Sequence, residues 1–427
     1  MKYDLALFGG EKTIKYDLRP YNTIGSEESK AVQKVLDSGQ LSRFVGCWED
    51  DFFGGEYVRQ FEKDCAKFFN VKHVVTVNSW TSGLICALGA IGIEPGDEVI
   101  VTPWTMCATA TAILHWNAIP VFSDIEDETF NLDPNKIENK ITKRTKAILA
   151  ADIFGHSCNV SQLIKIANKY NLKLITDSAQ SPGVFNKDKF TGTESHVGGF
   201  SLNYHKHIHT GEGGILVTND EEICERMQLI RNHGEAVVEK KGLKNLTNII
   251  GHNFRLGEIE CAIGIEQLKK LDKLVNDRQR IARLLDNGLR DLEGLIIPKV
   301  LDGNTHAYYV SGIKLNLDII QVSRENLIKA LEAEGLTGLM NGYANIHLLP
   351  IFQKKIAYGN KGFPWYSDIC SNEVNYKKGI CPIAENLHDS SFLGFEMCLH
   401  QLSNEEVDLV IKCFHKVWNN LNILKNF

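Results

Sequence analysis

"HVVTVNSWTSGLICALGAIG", His73 to Gly92, passes from a run of four β-branched residues, Val74 to Val77, through Asn-Ser, into a longer apolar segment that closes on glycine. It reads as strand, turn and helix. The same alternation continues downstream. "DEVIVT" (97–102), "IPVFSDI" (119–125), "KAILAADIF" (146–154) and "LKLITDSA" (172–179) are strand-like, whereas "CATATAILHW" (107–116) and "SQLIKIANKYN" (161–171) carry apolar residues at helical spacing. "GGFSLN" (198–203) and "ILVTND" (215–220) add two further strands. The strand runs are continuously apolar, so both faces are expected to be covered, which predicts an α/β fold with a mainly parallel sheet between helices. Ligands of such sheets collect beyond the carboxyl ends of the strands.

Past Gly251 the pattern changes. "EIECAIGIEQLKKLDKLVNDRQRIARLL" (258–285) predicts one long amphipathic helix leading out of the sheet domain. "AYYVSGIKL" (307–315) reads as a strand, "SRENLIKALEAEGL" (323–336) as a helix capped by Ser323 and ended by Gly335, and "NEEVDLVIKCFHKVWNNL" (404–421) as a second amphipathic helix. This divides the chain into residues 1–282, an N-terminal segment with a large ligand-binding domain, and residues 283–427, a smaller α+β domain.

The totals narrow the function classes. At 427 residues, 43% hydrophobic and 23% charged, the chain is an ordinary globular protein with ample core. A net charge of -6 without a long Lys/Arg run argues against nucleic-acid binding. The 11 cysteines are scattered without Cys-x-x-Cys pairs, which fits reduced thiols better than zinc or disulfides. No apolar stretch has the length of a membrane span or the form of a signal peptide, so a cytoplasmic enzyme is expected.

Three places could carry chemistry. Asp177 ends a strand at the sheet rim. An isolated acid there is more often a turn cap. In "SLNYHKHIHTGEGG" (201–214), Lys206 lies between two strands beside glycines that permit tight backbone geometry. His205, His207 and His209 alternate around it and offer a metal reading, but no carboxylate or thiolate accompanies them at ligand spacing, and no metal is expected. In "NSWTSG" (78–83), Ser79, Thr81 and Ser82 open a helix whose amides would favour an anion, although the same residues are ordinary caps. An amine, an acid and an anion site together match what pyridoxal phosphate requires of a protein.

The chain resembles the DegT/StrS-type pyridoxal-phosphate-dependent nucleotide-sugar aminotransferases. The likeness runs through "LALFGGEKTI", "VLDSGQLS", "FEKDCAKFFNVKHVVTVNSWTSGL", "PGDEVIVTPWT", "DSAQSPG", "FSLNYHKHIHTGEGG", "GHNFRLGEIECAIGIEQLKKLD" and "CPIAENLH". It implies the aspartate-aminotransferase-like fold of type I, with a seven-stranded sheet, and a homodimer with shared active sites. It also implies site roles: Lys206 as the Schiff-base lysine, Asp177 as the partner of the pyridinium nitrogen, Gln180 beside the ring, and Ser201, Thr81 and Ser82 at the phosphate. Asn253 would reach a phosphate from the neighbouring subunit.

Two positions depart from the pattern: Trp80 stands where glycine is usual, placing an aromatic near the phosphate end, and Met106 replaces the aromatic that stacks on the ring. Trp104 or Trp80 could take over that stacking. Tyr343 and His347, in "MNGYANIHLLPIF" (340–352), and His205 are substrate candidates. Protonated His205 or His207 would help to lower the pKa of Lys206. The expected reaction moves an amino group from an amino acid, glutamate being the usual donor in the family, to a keto sugar carried on a nucleotide. Alternatives are a cyclitol ketone or a small phosphorylated ketone as acceptor, a sugar dehydratase of the same fold, which would carry histidine in place of the lysine, and a cofactor-binding regulator without turnover.

Overall fold

A computed structural model describes residues 4–370, 373–425 and 427. Its large sheet has seven strands: β1 His73–Val77, β2 Glu98–Val101, β3 Ile119–Phe122, β4 Thr145–Ala151, β5 Lys173–Asp177, β6 Val197–Ser201 and β7 Gly214–Thr218. Their order is β1-β7-β6-β5-β4-β2-β3. Only β7 is antiparallel to its neighbours. The continuous apolar pattern has the expected cause. In β4, Ala147 and Leu149 enter the core on one side of the sheet, and Ile148 and Ala150 the core on the other.

The flanking helices include α1 Trp80–Ala90, α2 Ala108–His115 and α3 Val160–Tyr170. Ser79 caps α1 by accepting the Ser82 amide, and Asn159 caps α3 by accepting that of Gln162. The single helix expected over 258–285 is instead two, α4 Glu258–Leu268 and α5 Leu271–Leu289. At the break, buried Gln267 donates to the Thr23 carbonyl and Glu28, and Lys270 pairs with Glu28 at 2.5 Å. Residue 282 lies within α5.

A second, antiparallel sheet follows, with β8 Leu295–Ile296, β9 Ser311–Leu315, β10 Leu339–Met340 and β11 Phe392–Phe395 in the order β8-β9-β11-β10. Helices α6 Arg324–Ala333 and α7 Asn404–Trp418 bury Leu327, Leu331, Val407, Val410 and Phe414 in its core. Ser323 caps α6 as expected, and Gly335, with φ +93°, turns the chain out of it. Leu5, Ile14 and Leu18 of the N-terminal segment lie in the same core. Among the described residues no helix is long and apolar enough to cross a membrane.

Candidate active site

The carboxyl ends of β1, β2, β4, β5 and β6 deliver Ser79, Thr105, Asp152, Asp177 and Ser201 to one cavity of about 780 Å³, open to solvent. Thr81, Met106, Gln180, His205, Lys206 and Tyr343 also line it. Residues between positions 79 and 343 thus meet because a parallel sheet ends all its strands at one rim.

Lys206 is 6% exposed, and its Nζ lies 4.1 Å from the centre of the Tyr309 ring. Burial lowers its pKa from 10.5 to about 8, so a substantial fraction of the amine is neutral near physiological pH. The neighbouring histidines do not do this work. Burial pushes His205 down to about 4 and His207 to about 3, so neither is a cation at neutral pH. The expectation of a protonated helper is therefore corrected: desolvation is what lowers the lysine. His207 is fully buried with Nε2 2.8 Å from the Ala307 carbonyl, and among the described residues no three His, Cys, Asp or Glu side chains converge as a metal site.

Asp177 is also buried, which raises its pKa, while hydrogen bonds draw it back. Thr109 Oγ1 donates to Oδ2 at 2.7 Å, Trp80 Nε1 to Oδ1 at 2.6 Å, and the Ala179 amide to Oδ1 at 3.3 Å. Gln180 is held at both ends: Oε1 accepts the Phe154 amide at 2.7 Å and Nε2 donates to the Tyr343 hydroxyl at 3.0 Å. Phe154 adopts φ +57°, an unusual conformation for a bulky residue, which that bond helps to hold. Its ring stacks on Tyr343 at 6.0 Å between centres.

The anion end is the start of α1. The amides of Trp80 and Thr81, in its first turn, have no acceptor within the helix, and Ser79 and Ser201 stand beside them on the cavity wall. Ser82 is not brought there. Its amide goes to Ser79 Oγ and its hydroxyl to Asn78 Oδ1 at 2.7 Å. Ser82 is thus the residue that the Ser79 cap holds.

Three further expectations need correction. Trp80 does not crowd the anion end, because its indole turns inward to Asp177. Trp104 cannot stack on a ligand ring, being fully buried among Phe130, Phe154 and Phe392. His347 is not at the cavity. It is 0% exposed and sits 3.0 Å from Glu385, whose carboxylate also accepts the amides of Gly379 and Cys381. Met106 is 52% exposed at the cavity mouth. Asn253 is exposed and outside this cavity.

Thr109 and Tyr309 were not read as site residues from the sequence, and Trp80 was read near the phosphate or on the ring, not as a partner of Asp177. Nothing local distinguishes Thr109 in "CATATAILHW"; only its place at the second position of a helix that follows a strand would have pointed to the rim.

Residues 22–389 match the DegT/DnrJ/EryC1/StrS aminotransferase family. The chain belongs to that family. It is 34% identical to the spore coat polysaccharide biosynthesis protein SpsC of Bacillus subtilis, over 84% of this chain and 90% of that protein. It is 30% identical to GDP-perosamine synthase of Vibrio cholerae, over 85% and 97%. An aminotransferase structure from Psychrobacter cryohalolentis superposes with a TM-score of 0.82 at 27% identity, covering 95% of this chain and all of that one. GDP-4-keto-6-deoxy-D-mannose-3-dehydratase of E. coli, with hydrated pyridoxal phosphate bound, gives 0.76 at 26% identity, over 93% and 99%.

Membership in this family makes the chain a pyridoxal-phosphate-dependent transaminase. The residues present fit the cofactor: a buried amine of lowered pKa, a buried carboxylate, and uncapped helix amides share one wall-to-wall cavity.

Proposed function

We propose that this DegT/DnrJ/EryC1/StrS aminotransferase transfers an amino group from an amino acid, L-glutamate by preference, to a keto sugar carried on a nucleotide, in the making of an amino sugar for a surface glycan. The observation that carries the reading is Lys206 and Asp177 lining one cavity whose far wall is the amino end of α1. Relatives named for GDP-perosamine synthesis and spore coat polysaccharide support the acceptor class.

Bound here, pyridoxal phosphate supplies an electron sink that allows a proton to leave the donor's α-carbon. The protein's part follows from its own groups. Lys206 Nζ would hold the cofactor, and as a buried amine it would carry the proton that leaves the donor's α-carbon. Asp177 holds the ring nitrogen protonated. The free amides of Trp80 and Thr81, with Ser79 and Ser201, hold the phosphate. Gln180 lies beside the ring, and Tyr343 and His205 face the substrate. Asn253 reaches the phosphate of a neighbouring copy in a homodimer.

Reduction of the loaded protein with borohydride, followed by digestion, is expected to find the pyridoxyl label on Lys206. Incubation of unreduced loaded protein with glutamate is expected to convert the bound cofactor to its amine form, and a panel of nucleotide-linked keto sugars to return it. A label on another peptide ends the reading.

The likeness to the dehydratase makes loss of a hydroxyl from a keto sugar the second reading. It would be favoured if sugar product formed without amino nitrogen. No conversion with any donor would favour a regulator.

A further inference from the structure

The carboxylate of Asp177 faces a difficulty that its position creates. It must stay ionised to keep a pyridine nitrogen protonated, yet it is 7% exposed and burial works against its charge. The nearby positive charge, Lys206, is itself weakened by burial and is the amine that the cofactor would occupy. Ionisation therefore depends on hydrogen-bond donors.

The donors are not equivalent. A threonine hydroxyl can donate to a carboxylate or, by rotating, accept from a protonated carboxyl; Thr109 on Oδ2 therefore tolerates either state. An indole N–H only donates. Trp80 on Oδ1, at 2.6 Å, favours the ionised form and, with the longer 3.3 Å bond from the Ala179 amide to the same oxygen, fixes the plane of the group. A donor to an ionised acceptor is among the stronger hydrogen bonds.

The indole has a dedicated slot. A Cβ at Gly83 would lie 2.8 Å from its Cε3, and one at Gly199, in the strand beside Asp177, would collide with Cζ3 and Cη2 as well as with the Ile215 carbonyl of β7. Two glycines on different elements leave the space that the ring fills. The Trp80 amide faces the cavity's anion end from the first turn of α1 while its side chain runs to the opposite end.

We propose that Trp80 is a positioning residue for Asp177: its indole N–H keeps the buried carboxylate ionised and oriented toward the ring nitrogen of the cofactor. The proposal rests on the assignment of Asp177 to that nitrogen. Removing the indole donor makes the carboxylate more basic, so the proton shared between ring and carboxylate shifts away from the ring.

Two measurements test it. In the cofactor-free protein carrying 13Cγ-labelled aspartate, with Asp177→Asn identifying the signal, Trp80→Phe is expected to raise the titration midpoint of Asp177 by about 1 to 2 pH units. In protein loaded with pyridine-15N pyridoxal phosphate, Trp80→Phe should move the ring signal toward the unprotonated position, and Asp177→Asn should move it there fully. An Asp177→Asn protein whose ring nitrogen stays protonated refutes the Asp177 assignment. A ring signal that moves in Asp177→Asn and an unmoved midpoint in folded Trp80→Phe together refute the role of Trp80 alone. Should Trp80→Phe not fold, the 15N-indole spectra of the wild-type chain and of Asp177→Asn decide. One of the six tryptophans should lose a downfield N–H shift, and identical spectra overturn the proposal.

Discussion

At the scale of single residues, the site is organised by burial. Lys206 is held beside the Tyr309 face, with no ion pair or hydrogen bond to Nζ found among the described residues. Its folded-state pKa of about 8 lies below the unfolded value of 10.5, so the folded chain releases this proton first. Stability therefore rises with pH between about 8 and 10.5, and the cost of burying the ammonium is fully present below pH 8. Lys206→Met removes that cost. Thermal denaturation of the cofactor-free proteins should show the variant more stable at pH 7, by about 3 kcal/mol at most, with the gap closing above pH 10. A variant less stable at pH 7 would mean that the amine has a partner in solution. That Lys206 stands at the cavity was legible from its place between the strand runs 198–203 and 215–220. The partners of Asp177 were not, because Trp80 and Thr109 stand 97 and 68 residues away in sequence and meet it only once the sheet is assembled. The same limit explains His347: its loop looks like a substrate loop, but its ring is claimed by Glu385 from the core side.

At the scale of elements, the parallel strands were readable because burial on both faces leaves no polar alternation in them. The two-residue strands β8 and β10 were not, since so short a segment has no period. The break between α4 and α5 escaped because no glycine or proline marks it and the apolar period runs through it. The slot for the Trp80 ring gives a prediction at this scale. A Cβ at Gly83, one turn along α1, would meet the ring at 2.8 Å and otherwise only a Val77 methyl at 3.4 Å, so Gly83→Ala overfills the slot and should cost about 1–3 kcal/mol in chemical denaturation. In a Trp80→Ala background the same change should cost far less, a coupling that a double-mutant cycle measures. Additive costs would mean that something other than the indole sets the demand for glycine at position 83.

At the scale of the whole molecule, segments from both ends of the chain meet on Glu334. Its carboxylate is fully buried and accepts from the Ala6 amide, from Thr13 and from Lys416, which joins the N-terminal segment, the end of α6 and helix α7. Glu334→Ala strands these donors and should free the first residues to limited proteolysis while costing about 3 kcal/mol; unchanged digestion would show the segment held by Leu5, Ile14 and Leu18 alone. The larger question is the number of chains per site. Asn253 is exposed outside its own cavity, and Leu246 and Ile250, on the approach to it, are 57% and 73% exposed, as are Tyr204 (67%) and Met106 (52%) near the cavity. If Asn253 serves the neighbouring copy, Lys206→Ala and Asn253→Ala proteins are each defective as homodimers, but a mixed dimer contains one site with both residues intact. Unfolding and refolding the two variants together at equal amounts makes half of the dimers mixed, each with one of two sites complete, so activity should return to about one quarter of wild type. Activity no greater than the sum of the separate variants would place Asn253 at its own subunit's site or at none.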